Sequence, residues 1–213
     1  MPEQLVAHNV SKRYHLGSWI IREFSHTFMP GTATGLIGVN GSGKTTMLRM
    51  LTTVAFPTSG SITYAGKDIH KYPHSYLKHT GFAFDSTELP QFSNTNELLE
   101  AILRSRGKWD AESPKLISEM LAMLNLDERR ENLIGTYSSG MMQKTLLAAC
   151  LIGNPELIIL DEPFRALDVD TRALLIDYLM QRKKNGTTII ISSHLPEVIE
   201  TLCDEVISFP ISG

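Results

Sequence analysis

The sequence has little of what marks a secreted, membrane-embedded or nucleic-acid-binding protein. It has only two cysteines, Cys150 and Cys203, at no metal-ligand spacing. That excludes a disulfide framework and fits a reducing compartment. Cys150 stands in an apolar stretch and reads as core. The longest unbroken apolar run, Leu146 to Ile152, falls far short of the about 20 residues that a membrane-spanning helix needs. The N-terminus, Met1-Pro2-Glu3-Gln4, has no basic segment leading into an apolar one, so no secretory signal is expected and the chain is expected in the cytoplasm. Neither sign of charge dominates: 20 basic residues against 23 acidic leave a net charge of −3. The basic run Arg182-Lys183-Lys184 reads as a solvated helix end. Bulk attraction to nucleic acid is therefore not expected. Low-complexity linkers and internal repeats are also absent.

What is present is the composition of a soluble globular domain, 42% apolar and 20% charged. A chain of 213 residues predicts one domain, with room for a subdomain, and buries about 70% of its unfolded surface without a staple. The first third reads as strands: Leu5 to Val10, Trp19 to Phe28, and the apolar Ala33 to Gly38 after the Pro30-Gly31 turn. A helix is expected from Thr45 to Thr53. The middle has few β-branched residues. Asn94 or Thr95 can cap a helix running to Arg106, Ser113-Pro114 reads as an N-cap with proline behind it, and Leu116, Ile117, Met120, Leu121 and Leu124 make a helix face. The last third alternates: strand Leu157 to Leu160, helix Val169 to Lys184, strand Thr187 to Ser192, helix Pro196 to Leu202, strand Glu205 to Phe209. That alternation predicts an α/β fold with a mostly parallel sheet and helices on its faces.

Gly38-Val39-Asn40-Gly41-Ser42-Gly43-Lys44-Thr45 matches the phosphate-binding pattern G-x-x-x-x-G-K-[ST] in full, and Thr46 continues it. Glycines let the backbone curl so that several N–H groups face phosphate oxygens, and the following helix adds its positive end. Lys44 supplies a point charge to the β- and γ-phosphates, and the Thr45 hydroxyl can ligate Mg²⁺. An apolar strand before the motif and a helix after it argue against a chance match. The motif predicts a nucleoside triphosphate site without choosing among P-loop activities.

Leu157 to Leu160 ends in Asp161-Glu162. A buried parallel strand delivers its C-terminal residues to the ligand site. Asp161 is placed to hold Mg²⁺, and Glu162 to polarise an attacking water as general base. By itself, an acidic pair after a strand could be an ordinary turn. Beside a complete phosphate loop it reads as the second half of the site.

The chain resembles the ATPase subunits of ATP-binding cassette (ABC) proteins over nearly its whole length. The distinguishing segment is Tyr137-Ser138-Ser139-Gly140-Met141 upstream of the acidic strand, where the commonest family form is Leu-Ser-Gly-Gly-Gln. The resemblance implies that Ser138, Ser139 and Gly140 complete the ATP site of a partner subunit. Ala166-Leu167-Asp168 resembles the D-loop that contacts the other subunit, and Ile191-Ser192-Ser193-His194 the switch-histidine segment, with His194 contacting the γ-phosphate. Tyr14 resembles the aromatic that stacks on adenine. The implied architecture is one ABC ATPase domain over residues 1–213. Residues of about 1–89 and 155–213 would form the P-loop core with an antiparallel β subdomain, and about 90–154 an inserted helical subdomain.

Two departures stand out. Asp85 occupies the place of a family glutamine that touches Mg²⁺, so it is a candidate metal ligand. The signature has Ser139 and Met141 where glycine and glutamine are usual, a form similar to that of drug and polysaccharide exporters. The resemblance implies ATP and Mg²⁺ as cofactors, and catalysis by Lys44, Glu162 and His194. It implies a second ATPase subunit, identical or not, and a separate transmembrane permease that holds this chain on the inner face of the membrane. The alternatives are a non-transport ABC ATPase acting on DNA, the ribosome or a cell-wall complex, and a P-loop kinase. The chain carries neither the long coiled coil nor the second cassette of such non-transport members, and a kinase has no use for the signature or His194.

Overall fold

The computed structural model describes residues 4–14, 17–84 and 86–211. Two β-sheets form the frame. The first is antiparallel, with β1 (Leu5–Lys12) between β2 (Ile21–Phe28) and β4 (Ser59–Tyr64), and a short β5 (Lys67–Asp68) at the edge. The second is parallel. It contains β3 (Ala33–Ile37), β6 (Thr80–Ala83), β7 (Leu157–Asp161), β8 (Thr188–Ser192) and β9 (Glu205–Ser208) in the order β6-β7-β8-β3-β9. Helix α1 (Lys44–Leu51) follows β3, and α2 (Pro73–Leu77) precedes β6. Helices α3 (Thr95–Ser105), α4 (Ser113–Met123) and α5 (Ser139–Leu151) all lie between β6 and β7 in the chain. Helices α6 (Val169–Lys184) and α7 (Pro196–Leu202) alternate with the last strands.

The strands of the parallel sheet are short apolar runs because both of their faces are covered. Ile158, Ile159, Leu160, Ile189, Ile190 and Ile191 are all fully buried. Even-numbered Ile158 and Leu160 face a core built with α3, α4, α5 and α6, whereas Leu157 and Ile159 face the antiparallel sheet and α1. This period-two split is what a two-sided strand requires. Helix α5 crosses β6 closely. A Cβ on Gly81 would collide with the carbonyl of Cys150, so only glycine allows that approach.

Element ends differ in detail from expectation. Asn94 caps α3 with a full capping box to Glu97. Ser113 is not the cap of α4. Glu112 holds that position, and the Ser113 hydroxyl instead bonds Asp110 at 3.0 Å. The second strand starts at Ile21 rather than Trp19. Strands β4 and β5, and helix α2, lie in a stretch without a clear periodic pattern in the sequence. Among the described residues no helix is long and apolar enough to cross a membrane.

Candidate nucleotide site

In a parallel sheet the ligand crevice lies beyond the carboxyl ends of the strands. Three of those ends converge here. β3 runs into the phosphate loop, β7 ends in Asp161, and β8 lies between them and ends in Ser192. The register sets Asp161 directly across from Ser192. The result is a cleft of about 630 Å³, lined among others by Asn40, Lys44, Thr45, Asp161, Glu162 and His194.

The phosphate loop is shaped to receive an anion. Gly43 has φ +110° and precedes α1 with no side-chain cap, so the first amides of the helix have no partner within it. The Ser42 hydroxyl is buried and has no hydrogen-bond partner. Such an orphaned polar group is costly unless a ligand satisfies it. Lys44 is only 6% exposed, and its Nζ donates to the carbonyls of Gly38 at 2.7 Å and Val39 at 3.2 Å. The ammonium is thus folded back onto the loop it serves. Thr46 and Gly41 also line the cleft.

The carboxylate side is bonded more fully. The Thr45 hydroxyl donates to Asp161 Oδ2 at 2.6 Å, and the Ser192 hydroxyl donates to Oδ1. Because Thr45 spends its proton on Asp161, its oxygen lone pairs stay free. Hard oxygen donors of this kind fit Mg²⁺. Among the described residues no cluster of three or more His, Cys, Asp or Glu side chains is assembled as a metal cage, so hydroxyl and carboxylate together would have to serve.

Glu162 has a left-handed backbone, φ +49°, which turns the chain sharply at the strand end. Its amide donates to both Ser192 Oγ at 3.0 Å and Ser192 O at 3.2 Å. Its Oε2 accepts from the His194 amide at 3.2 Å. Its Oε1 is buried without a hydrogen bond, although His194 Nε2 lies 3.2 Å away. That imidazole nitrogen donates instead to Asn40 Oδ1 at 2.9 Å. His194 therefore joins the phosphate loop to the acidic strand.

The signature segment sits at the start of α5. Ser138 is the N-cap, its Oγ accepting from the Met141 amide at 3.3 Å. Ser138 and Ser139 are exposed. A Cβ on Gly140 would come within 3.1 Å of the Ala166 carbonyl. Gln143 Nε2 donates to the Pro163 carbonyl at 3.0 Å, and Lys144 pairs with Asp168 at 3.0 Å. These links fasten α5 to the segment that follows Glu162. Of the two departures in the signature, Ser139 is exposed and Met141 is packed, as is the neighbouring Tyr137. The Tyr137 hydroxyl donates to the Arg129 carbonyl at 2.7 Å and meets Thr95 Oγ1 at 3.0 Å. Met141 packs against the cluster of Leu89, Ile134 and Tyr137.

Asp168 caps α6, accepting from the Thr171 amide at 2.8 Å and from the Thr171 hydroxyl at 2.8 Å. Those bonds, led by the Thr171 amide, with Lys144 next, hold its carboxyl well below the usual carboxylate range. Tyr14 is 46% exposed with Lys12 Nζ 4.7 Å over its ring, and it does not line the cleft, whereas Ile20 does. Asp85 lies outside the described residues.

Ser192, Gln143, Lys144 and Ile20 were given no role from sequence. Ser192 was legible in part, since a hydroxyl ending an otherwise apolar buried strand next to the acidic one needs a polar partner.

The family model described as ABC transporter matches residues 21–165. The Bacillus subtilis ABC transporter ATP-binding protein YybJ is 37% identical over 186 residues, which span 87% of this chain and 83% of that protein. Nod factor export ATP-binding protein I of Burkholderia orbicola is 32% identical, over 93% of this chain and 65% of its own length. A solved dimeric bacterial ABC transporter cassette matches with a TM-score of 0.84 at 25% identity, over 96% of this chain and 94% of its own. The chain belongs to the ABC transporter family and is its nucleotide-binding ATPase domain.

Proposed function

We propose that this chain hydrolyses MgATP as one half of a closing pair of ATPase subunits that drives export through a separate membrane permease. The observation that carries the reading is the facing of two half-sites across one cleft: the phosphate loop with Lys44 and Thr45, and the acidic turn with Asp161 and Glu162.

In this reading the amides behind Gly43 and the Lys44 ammonium hold the β- and γ-phosphates. Lys44 exchanges the carbonyls of Gly38 and Val39 for phosphate oxygens. Thr45 and Asp161 would hold Mg²⁺, which when bound would neutralise charge on the phosphates. Glu162 Oε1 accepts a proton from the attacking water. His194 moves from Asn40 to the γ-phosphate and keeps the Glu162 carboxylate oriented. Tyr14 would have to turn inward to stack on adenine.

Ser138, Ser139 and Gly140 form an exposed helix N-terminus suited to an anion from outside the chain. Supplied by a partner subunit, identical or different, it would bind the γ-phosphate of the facing site. Closure then depends on that phosphate, and hydrolysis releases it. Residues of about 90–154 act as an arm on the core formed by about 1–89 and 155–213. The permease docks on this arm and keeps the chain peripheral on the cytoplasmic face of the membrane. The export direction is supported by the Nod factor export relative and by the form of the signature.

The test is a mild-detergent pull-down of the tagged chain from its native membranes, with proteins identified by mass spectrometry. A multi-span membrane protein in stoichiometric amount is expected. Recovery of soluble proteins or nucleic acid alone would overturn the transporter reading.

A further inference from the structure

We infer that Ser192 is a positioning residue that sets the geometry of both acidic side chains of the site. Its place is decided by register: as the last residue of β8 it lies directly across from Asp161 on β7. It is 0% exposed, so its hydroxyl cannot be satisfied by bulk solvent and must find protein partners. It finds two. Its proton goes to Asp161 Oδ1, and its oxygen accepts from the Glu162 amide at 3.0 Å.

One hydroxyl thus links the two consecutive acids by opposite bonds. The consequence for Asp161 is rotational. With Oδ1 held by Ser192, Oδ2 is aimed at Thr45, where it accepts at 2.6 Å. The consequence for Glu162 is conformational. A left-handed backbone at a non-glycine residue is disfavoured. At Glu162, with φ +49°, it is held by the amide's pair of bonds to Ser192 Oγ and O. That turn brings the Glu162 carboxylate back beneath the His194 amide. Ser193, the next residue, does neither, since its hydroxyl accepts from the Leu195 amide at 3.1 Å.

This inference deepens the proposed hydrolase reading and rests on it. The unmodified chain's own turnover of MgATP tests that reading separately. Ser192→Ala removes both hydroxyl bonds at little change in volume, and Ser192→Thr retains a hydroxyl at the position. Each is compared with the unmodified chain, assembled with its membrane partner, for kcat, KM, melting temperature and ATP affinity with and without Mg²⁺.

The expected result is a kcat at least about tenfold lower in Ser192→Ala, in line with the loss of an orienting bond in a preorganised site. KM should stay within about threefold, because phosphate-loop contacts are untouched. The strengthening of ATP binding by Mg²⁺ should shrink severalfold, while Mg²⁺-free affinity holds; these are about-severalfold effects of misplacing one oxygen ligand. Ser192→Thr should recover most of both. Three results would overturn the inference. The first is a folded Ser192→Ala with parental kcat and a parental Mg²⁺ effect. The second is a loss of Mg²⁺-free ATP binding and melting temperature in step with kcat, which would make Ser192 merely structural. The third is a Ser192→Thr chain that melts like the parent yet performs no better than Ser192→Ala.

Discussion

The two ends of the cleft are built in opposite ways. On the acidic side the chain bonds most of its own groups: both Asp161 oxygens have hydroxyl donors, and the Glu162 amide is bonded twice by Ser192, while Glu162 Oε1 is left without a hydrogen bond. On the signature side the tip of α5 faces solvent, and its cap, Ser138, serves its own helix through the Met141 amide. Below that tip the helix is fastened tightly, by Gln143 to Pro163 and by Lys144 to Asp168. A preorganised inner half supports chemistry, because its dipoles need no rearrangement when charge develops. A rigidly mounted but exposed outer half supports binding of something from outside. The difference between them is what a site shared by two subunits requires.

The strongest way to break this comparison is at the inner half. Glu162→Gln keeps the shape of the side chain and its contact with the His194 amide but cannot take a proton. Steady-state turnover should fall by about 10²–10⁴-fold, with ATP binding retained in an equilibrium titration. Parental turnover would remove Glu162 as the base.

A smaller effect is expected at the turn between α5 and β7. Arg106 at the end of α3 donates to the Ile152 carbonyl at 2.5 Å and to the Thr80 carbonyl at 3.1 Å. Lys108 donates to the Gly153 carbonyl at 2.7 Å, and Arg182 to the Pro155 carbonyl at 3.0 Å. Three cations thus hold the turn between α5 and β7. Burial lowers the Arg106 pKa, yet an arginine stays charged at any working pH. Arg106→Leu leaves two carbonyls without their donor and should cost about 1–3 kcal/mol in urea unfolding. A loss below measurement error would mean that water replaces the guanidinium.

The smallest effect belongs to the outer half. Asp168→Ala removes the cap of α6 and the partner of Lys144, and should cost about 1 kcal/mol. Its dependence on pH has a definite sign. The folded-state pKa of Asp168 is depressed by the Thr171 amide, Lys144 and the Thr171 hydroxyl. Its ionised form therefore stabilises the fold above the ordinary carboxylate pKa, and that stabilisation is lost as pH falls toward the depressed value. The gap in urea midpoint between the parent and Asp168→Ala should be full at neutral pH and close in acid. A gap that widened in acid would contradict the assignment.

The most legible parts of the molecule were those with a strict local pattern. The phosphate loop, the Asp161-Glu162 pair and the apolar runs of β7 and β8 each follow from few residues. Helix α6 from Val169 to Lys184 and helix α7 from Pro196 to Leu202 lie where the sequence puts them. The antiparallel strands β4 and β5 were not visible, because Ser59–Tyr64 is half polar and its pairing with β1 is fixed by a distant part of the chain. The capping of α4 was misjudged because a serine before a proline can bond backward as well as forward. Here it bonds Asp110. Ser192 belongs to the segment that ends in His194, but its role follows from the strand register, which a single sequence does not contain.

The most direct test of the shared-site account is the oligomeric state of Glu162→Gln with ATP, followed by sedimentation velocity. ATP should convert monomer to dimer, alone if like subunits pair or on addition of the second ATPase subunit if they do not. ADP should not. Adding Ser138→Asp to every pairing subunit keeps a good helix cap but sets a carboxylate against the incoming triphosphate, and should return the pair to monomers while each still binds ATP. A dimer that forms equally with ATP, with ADP and with Ser138→Asp would contradict a site completed by the partner's signature segment.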